Sequence, residues 1–146
     1  MTISEEILEA IRRRVREEPF ANKMGLELLE IGAGYSLVRM EFTPEMENIH
    51  GIAHGGAIFS LIDEAFETAS NSHGTVAVAL NMNITYLARP SPGDILTSEA
   101  NEVSRLSRTA NYYITVKNQD EKLIATCQAL VYRKKESLPF LNEGVQ

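Results

Sequence analysis

Ten residues in the middle of the chain, HGGAIFSLID from His54 to Asp63, combine residue types that support chemistry on a carbonyl group. Gly55 and Gly56 open an apolar helical pattern, and the first N–H groups of a helix lack partners within it and lie at the positive end of its dipole. Glycine lets a ligand approach this backbone closely. A carbonyl oxygen at the N–H of Gly55 or Gly56 would be polarised, as acyl transfer requires. The alternative is that the glycines only make a sharp turn into the helix.

Asp63 is the second candidate in this segment. At about 100° per residue it falls on the flank of the apolar stripe, beside Phe59 and Phe66, whereas Glu64 falls on the far side and is predicted to face solvent. A partly desolvated carboxylate has a raised pKa, which suits a general base. The alternative is a structural Asp63 that bonds a neighbouring strand or an arginine.

The spacing of these groups predicts a dimer. Asp63 follows Gly55 by eight residues, or about 12 Å along a helix. A base and an oxyanion donor must both reach within about 3 Å of one reacting centre. A twofold axis between antiparallel helices brings Gly55 of one chain to Asp63 of the other. We therefore expect a homodimer with active sites at its interface.

The elements that must position these residues are predicted from hydrophobic periodicity. Ser4 is expected to cap a first helix, Pro19 to end its pattern, and the chain after Lys135 to be poorly ordered. Short connections between consecutive strands favour an antiparallel meander, curved around the one long helix. The predicted α+β domain spans 1–146, with helices at about 4–18 and 55–71 and strands at 26–31, 35–43, 76–87, 94–103, 109–117 and 123–132.

Composition narrows the classes of function. The net charge of −6 argues against nucleic acid as a partner, since phosphate binding needs a basic face. Cys127 is the lone cysteine and lies in an apolar strand pattern, so we expect a buried side chain and no disulfide. The sequence has neither a run long enough to span a membrane nor a signal peptide's apolar core, and this predicts a cytoplasmic protein without membrane contact.

The run from Asn48 to Asp63 resembles the signature of the hotdog-fold acyl-CoA thioesterases, in their phenylacetate-degradation (PaaI-type) branch. The shared pattern is His-Gly-Gly, six residues, then the acid, and Ala65, Ala69 and Asn71 fit its continuation. The resemblance implies a hotdog fold, in which an antiparallel sheet of five to six strands wraps around one long central helix, here with an extra N-terminal helix.

The resemblance also implies roles for individual residues. Asp63 would act as general base or nucleophile toward the thioester of a small, aryl or medium-chain acyl-CoA, and Gly55 of the opposite subunit would polarise the carbonyl. Asn48 and His54 would shape the loop and orient the reacting groups, and Gly56 would contact the substrate. Such enzymes are dimers that usually pair into tetramers, and they use no metal or other cofactor.

Coenzyme A carries several negative charges, so an acidic protein must supply cations locally. Arg89, Arg105 and Arg108 are the candidates, and Arg108 ranks first because Ser107 to Ala110 resembles the family's segment at the nucleotide end. Phe59 and Phe66 are candidates to contact the acyl group. The alternatives are solvent-exposed strand-end arginines and core phenylalanines.

A metal site and a non-catalytic binding protein are the alternatives to metal-free hydrolysis. His50 and His54 are four residues apart, but glycines interrupt a helix through them and a catalytic zinc usually needs three protein ligands, so no metal is predicted. The stronger alternative is a non-catalytic acyl-CoA-binding protein, a sensor or carrier. Asp63 favours hydrolysis, since a pure binder gains nothing from a carboxylate beside a thioester carbonyl.

Overall fold

A computed structural model of the chain describes residues 2–143, and for Ile3 its backbone only. A short 3-10 turn, Pro44–Met46, precedes the long helix that begins at Gly55. No helix within 2–143 is long and apolar enough to cross a membrane. The elements in chain order are α1 (Ile3–Glu17), α2 (Pro19–Met24), β1 (Glu27–Gly32), β2 (Tyr35–Glu41), α3 (Gly55–Asn71), β3 (Thr75–Tyr86), β4 (Ile95–Arg105), β5 (Thr109–Lys117) and β6 (Leu123–Ser137).

The six strands form one antiparallel sheet in the order β1-β2-β4-β5-β6-β3, and α3 contacts all of them. The predicted α+β architecture is confirmed. The predicted simple meander is wrong at one point: β3 pairs with β6 at the far edge of the sheet instead of with β4. The physical reason is that α3 separates β2 from β3 and crosses the sheet, so that β2 pairs directly with β4 while β3 joins the opposite edge.

The N-terminal segment forms two helices where one was predicted. Thr2, not Ser4, caps α1: its hydroxyl accepts from the N–H of Glu5 at 3.2 Å, and its own N–H donates to the Glu5 carboxylate at 2.6 Å. Pro19 begins α2 instead of only ending the first pattern. Proline suits the first helical position because the N–H that it lacks has no helical partner there.

The C-terminal segment packs on the domain. Strand β6 continues to Ser137, and the N–H of Leu138 donates to the carbonyl oxygen of Gly74 at 3.1 Å, with Leu138 itself buried. Arg13 donates to the carbonyl oxygen of Phe140 at 3.1 Å. Leu138 and Phe140 thus contact the rest of the domain, residues 144–146 lie outside the described residues, and poor order after Lys135 stays a prediction.

Candidate active site

The start of α3 is held by a histidine cap. The Nδ1 atom of His54 accepts a hydrogen bond from the N–H of Gly56 at 2.8 Å. A Cβ atom at Gly56 would lie 2.9 Å from that nitrogen, so only glycine leaves room for the cap. Because Gly56 donates to His54, the first-turn N–H that has no acceptor within residues 2–143 is that of Gly55.

Tyr86, a residue that the sequence did not single out, also contacts this helix terminus. Its hydroxyl donates to the carbonyl oxygen of Gly55 at 3.0 Å, and a Cβ atom on Gly55 would lie 3.1 Å from the hydroxyl oxygen of Tyr86. Burial, and the neighbouring Cys127, raise the pKa of Tyr86, so its phenol stays a donor at neutral pH. No local pattern could reveal a contact between residues 31 positions apart.

The loop before α3 is ordered by Asn48. The Asn48 side-chain oxygen accepts from the N–H groups of His50 at 2.9 Å and Ile52 at 3.3 Å. The N–H of His54 donates to the carbonyl oxygen of Met46 at 2.8 Å. Asn48 thus contacts the loop backbone, and the loop in turn fixes the residue that caps α3.

One face of α3 is not covered by the sheet. We call it the open stripe: Gly56, Phe59, Ser60, Asp63 and Glu67, which recur every three or four residues and are exposed or half-buried. Most other residues of the helix are buried, among them Ile58 and Ile62 beside Phe59. The open stripe therefore presents a carboxylate and an aromatic ring to whatever covers this face.

The Asp63 carboxylate is half-buried, and it accepts no hydrogen bond from the described part of the chain. Burial raises its pKa, and the negative charge of Glu18 adds to that effect. A carboxylate with a raised pKa and free lone pairs can accept a proton from a bound water. Geometry and electrostatics at Asp63 thus suit a general base.

Cys127 lies near this carboxylate but cannot serve as a nucleophile. It is buried, as predicted, and burial together with the charge of Asp63 raises the pKa of the thiol to about 11. The thiolate is the reactive form of cysteine. Cys127 therefore stays protonated and unreactive at neutral pH.

Comparison with known proteins decides the family. The family model described as "Thioesterase superfamily" matches residues 50–125, more than half of the chain, including the cap and α3. This chain belongs to the thioesterase superfamily. The resemblance inferred from the sequence is thereby confirmed.

Individual relatives of this thioesterase support the assignment. The acyl-coenzyme A thioesterase PaaI of Escherichia coli is 35% identical over 113 residues, which are 77% of this chain and 81% of that protein. The solved structure of the E. coli PaaI protein from the phenylacetic acid degradation operon matches with a TM-score of 0.88 at 30% identity, covering 93% and 99% of the two chains. The smu.793 protein of Streptococcus mutans, solved bound to acetyl CoA, matches with a TM-score of 0.74 at 28% identity over 77% and 91%. The predicted hotdog fold is confirmed.

The two candidate phenylalanines of the thioesterase lie in different surroundings. Phe59 is 38% exposed on the open stripe. Phe66 is 1% exposed and packs edge-to-face on Tyr112 with ring centroids 5.6 Å apart. A ring buried to this degree has no surface for a substrate in the protomer. Phe66 therefore belongs to the hydrophobic core and not to the proposed site.

The three candidate arginines also differ. Arg105 contacts His73 and lies 3.9 Å from the Glu102 carboxylate, so the thioesterase's own acid already neutralises it. Arg108 donates to the Tyr132 hydroxyl at 3.1 Å and remains exposed. Arg89 is exposed just after β3 and makes no ion pair within residues 2–143. Arg89 and Arg108 are therefore the cations still available to an anionic ligand.

The prediction that Glu64 faces solvent is wrong. Glu64 is only 3% exposed. It lies beside Glu18, at the junction of α1 and the unpredicted helix α2, which contacts α3. The sequence pattern missed this burial because it reports on α3 alone and not on the second helix that covers it.

Strand β3 of the thioesterase leaves one backbone edge unpaired in the part of the chain that the structure describes, where its only partner strand is β6. Val78 and Leu80 are 41% and 56% exposed on this strand. An exposed apolar edge strand is a ready template for pairing with another chain. Val78 lines one cavity together with Asp63, so this strand lies beside the open stripe.

Proposed function

We propose that this chain hydrolyses acyl-CoA thioesters in active sites shared by two subunits of a homodimer, with Asp63 as the catalytic carboxylate. The observation that carries the proposal is the placement of two complementary groups on one helix. Within residues 2–143, Asp63 on the open stripe has no hydrogen-bond partner, and the N–H of Gly55 at the start of α3 has no acceptor. The acyl-coenzyme A thioesterase PaaI and the acetyl-CoA complex of smu.793 support coenzyme A esters as the substrate class.

The dimer follows from the reach of these groups. Eight residues of α3, or about 12 Å, separate Gly55 from Asp63, too far for both to touch one carbonyl group. The exposed edge of β3 and the open stripe support a twofold interface that pairs these helices antiparallel. Each site then combines Asp63 of one subunit with Gly55 of its partner. Further pairing of dimers into a tetramer, and a cytoplasmic location, remain predictions.

The proposed chemistry uses the two groups in sequence. Asp63 accepts a proton from water, the water oxygen bonds to the thioester carbon, and the carbonyl π electrons move onto oxygen, where the Gly55 N–H stabilises the negative charge. When the carbonyl re-forms, the carbon–sulfur bond breaks, and the departing sulfur takes the proton from Asp63. The products are a free acid and coenzyme A. Direct attack by Asp63, with later hydrolysis of the anhydride, uses the same groups.

The substrate is placed by groups around this centre. Phe59 on the open stripe suits a small, aryl or medium-chain acyl group, and Gly56 lets the substrate approach the backbone at the helix start. Arg108 and Arg89 are exposed cations that suit the phosphates of coenzyme A, whereas Arg105 is already paired with Glu102. Asn48 and His54 position the loop and the helix terminus.

The test is a thiol-release assay over short, medium-chain and aryl acyl-CoAs, with Asp63→Asn beside the wild-type protein. Loss of a general base should lower kcat by about 10²–10⁴-fold and change substrate affinity little. Asp120→Asn, in an exposed turn, is the matched control and should keep full activity. Equal rates for wild type and Asp63→Asn would refute the role of Asp63. Tight binding of acyl-CoA by calorimetry without turnover would instead identify a sensor or carrier.

A further inference from the structure

Three carboxylates meet where the junction of α1 and α2 packs on the middle of α3. Glu18 comes from the junction, and Glu64 and Glu67 come from α3, three residues apart. One carboxylate oxygen from each lies within 4.8 Å of the other two. The cluster contains a buried residue, a half-buried residue and an exposed one, so it reaches from the interior to the surface.

Glu64 is the member that marks the cluster as a binding site. Its exposed fraction is 3%, and its Oε1 atom has no hydrogen-bond donor among the described residues. Burial, contact with the Glu18 carboxylate and the charge of Glu67 all raise the pKa of Glu64. Ionised carboxylates only accept hydrogen bonds, so these three satisfy one another only through shared protons or through a cation between them. A buried acid without a donor or a counter-charge is costly.

The described part of the chain supplies no basic counter-charge to this cluster. None of the three carboxylates forms an ion pair within residues 2–143. Arg14, which lines the neighbouring cavity with Glu18 and Glu67, instead lies 3.5 Å from the Glu143 carboxylate and over the ring of Phe140. Within residues 2–143 the cluster can therefore be neutralised only by protons or by a bound cation.

We propose that Glu18, Glu64 and Glu67 bind a hard divalent cation. Ca²⁺, Mg²⁺ and Mn²⁺ prefer oxygen ligands, at about 2.0–2.6 Å for the first two, so ligand oxygens around one such ion lie up to about 5 Å apart. The separation of these oxygens fits that range. The absence of histidine and cysteine from the cluster disfavours Zn²⁺ and Cu²⁺, which favour nitrogen and sulfur.

Space for further ligands lies beside the cluster. A cavity of about 310 Å³ is lined by all three glutamates and by the Ser70 side chain, enough for water molecules to complete the coordination. The bound ion ties the α1–α2 junction to α3, so it stabilises the folded chain. The predicted absence of a metal rested on His50 and His54 and on the family resemblance, and this site lies away from both histidines.

The experiment uses the full-length protein after chelation and exchange into metal-free buffer. Ca²⁺, Mg²⁺ and Mn²⁺ are titrated separately by isothermal calorimetry and by thermal denaturation. At least one should bind with one ion per chain and raise Tm with concentration, since a ligand of the folded state stabilises it. Glu64→Gln and the surface variant Glu67→Gln should each weaken binding by about tenfold or more, because affinity depends on ligand charge.

Glu17→Gln is the matched control, since Glu17 is the exposed sequence neighbour of Glu18 and lies outside the cluster. It should bind the ion with wild-type affinity. The proposal fails if none of the three cations gives heat or a Tm shift, or if Glu64→Gln and Glu67→Gln bind as tightly as wild type. It also fails if cations have no effect while Glu64→Gln weakens dimerisation, which would place a basic side chain of the partner subunit against the cluster. These readouts involve no substrate and stand apart from the proposed hydrolysis.

Discussion

The hydroxyl group of Tyr86, at the end of β3, donates a hydrogen bond of 3.0 Å to the carbonyl oxygen of Gly55, the first residue of α3. This bond joins the edge strand of the sheet to the terminus of the central helix. The N–H of the same residue, Gly55, is the proposed oxyanion donor. Orientation of that donor therefore depends on a side chain from another element.

Replacement of Tyr86 tests this dependence. Tyr86→Phe keeps the ring and removes the donor, so the Gly55 backbone is held less firmly. We expect kcat for acyl-CoA hydrolysis to fall by about tenfold with little change in KM, since each 1.4 kcal/mol of lost transition-state stabilisation is a factor of ten. Folding stability should change by about 1 kcal/mol or less, the value of one hydrogen bond.

Tyr113→Phe is the control for this variant, because Tyr113 is 43% exposed on β5 and forms no side-chain hydrogen bond within the described residues. It should leave kcat and stability unchanged. A Tyr86→Phe protein with wild-type kcat would show that the bond to Gly55 is structural only.

The cap of α3 gives a prediction about stability. Gly56→Ala puts a methyl group 2.9 Å from Nδ1 of His54, which forces the ring out of its cap. Loss of an N-cap bond costs about 0.5–2 kcal/mol, measurable as a lower midpoint in urea denaturation. Gly32→Ala is the control, since a Cβ there meets nothing within 4 Å. Alanine is favoured over glycine in a helix by about 0.5–1 kcal/mol, so equal midpoints for Gly56→Ala and wild type would mean that the cap contributes no more than this gain.

Sharing of the active site between subunits can be tested by mixing two inactive proteins. Asp63→Asn removes the acid, and Gly55→Pro removes the amide donor at a helix position where proline is tolerated. In a mixed dimer one site carries both defects and the other carries neither. Co-refolded mixtures should therefore regain activity, up to about a quarter of the wild-type level when subunits pair at random.

Each variant refolded alone is the control and should stay inactive. Recovery requires that the subunits exchange, which light scattering and a size tag on one variant can monitor. Mixed dimers that form but show no activity would contradict a site built from two chains.

Glu102 gives a prediction about acid stability. Burial by itself raises the pKa of Glu102, but hydrogen bonds of 2.7 Å each from His73 and Tyr112, and the charge of Arg105, lower the pKa below its ordinary value overall. An acid with a lowered folded-state pKa contributes stability above its unfolded-state pKa, and that contribution is lost as the pH falls through the folded-state value.

We therefore expect Glu102→Gln to lower the free energy of unfolding at neutral pH, and the difference from wild type to shrink as the pH falls below the ordinary glutamate pKa. Urea denaturation at a series of pH values measures this difference. Glu45→Gln, an exposed acid outside any ion pair within residues 2–143, should show no such trend. A pH-independent difference for Glu102→Gln would mean that its charge is not involved.

Local patterns predicted the elements that position the site. The bounds of α3 and β5, 55–71 and 109–117, agree with the prediction because strong periodicity and terminal glycines or turns mark their ends. The placement of Asp63 on the flank of the helix followed from the same geometry. Asp63 and Gly55 were thus recognisable from the sequence.

Features that depend on distant contacts were not predictable in this way. The pairing of β3 with β6 is decided by how α3 crosses the sheet. Helix α2 was not predicted, because Pro19 was expected to end a helix and instead begins one. Glu64 is buried by that unforeseen helix, and Tyr86 acts across the gap between strand and helix. In each case the feature depends on a contact with a second element, and hydrophobic periodicity does not predict the position of that element.

The protonated sulfhydryl of Cys127 matters for an enzyme whose product is itself a thiol. Free coenzyme A can form mixed disulfides only with a cysteine that is accessible and ionised, and Cys127 is neither. Free coenzyme A therefore does not form a mixed disulfide with the folded enzyme under oxidising conditions. For the same reason, thiol reagents in the activity assay report the released coenzyme A without a contribution from the folded protein.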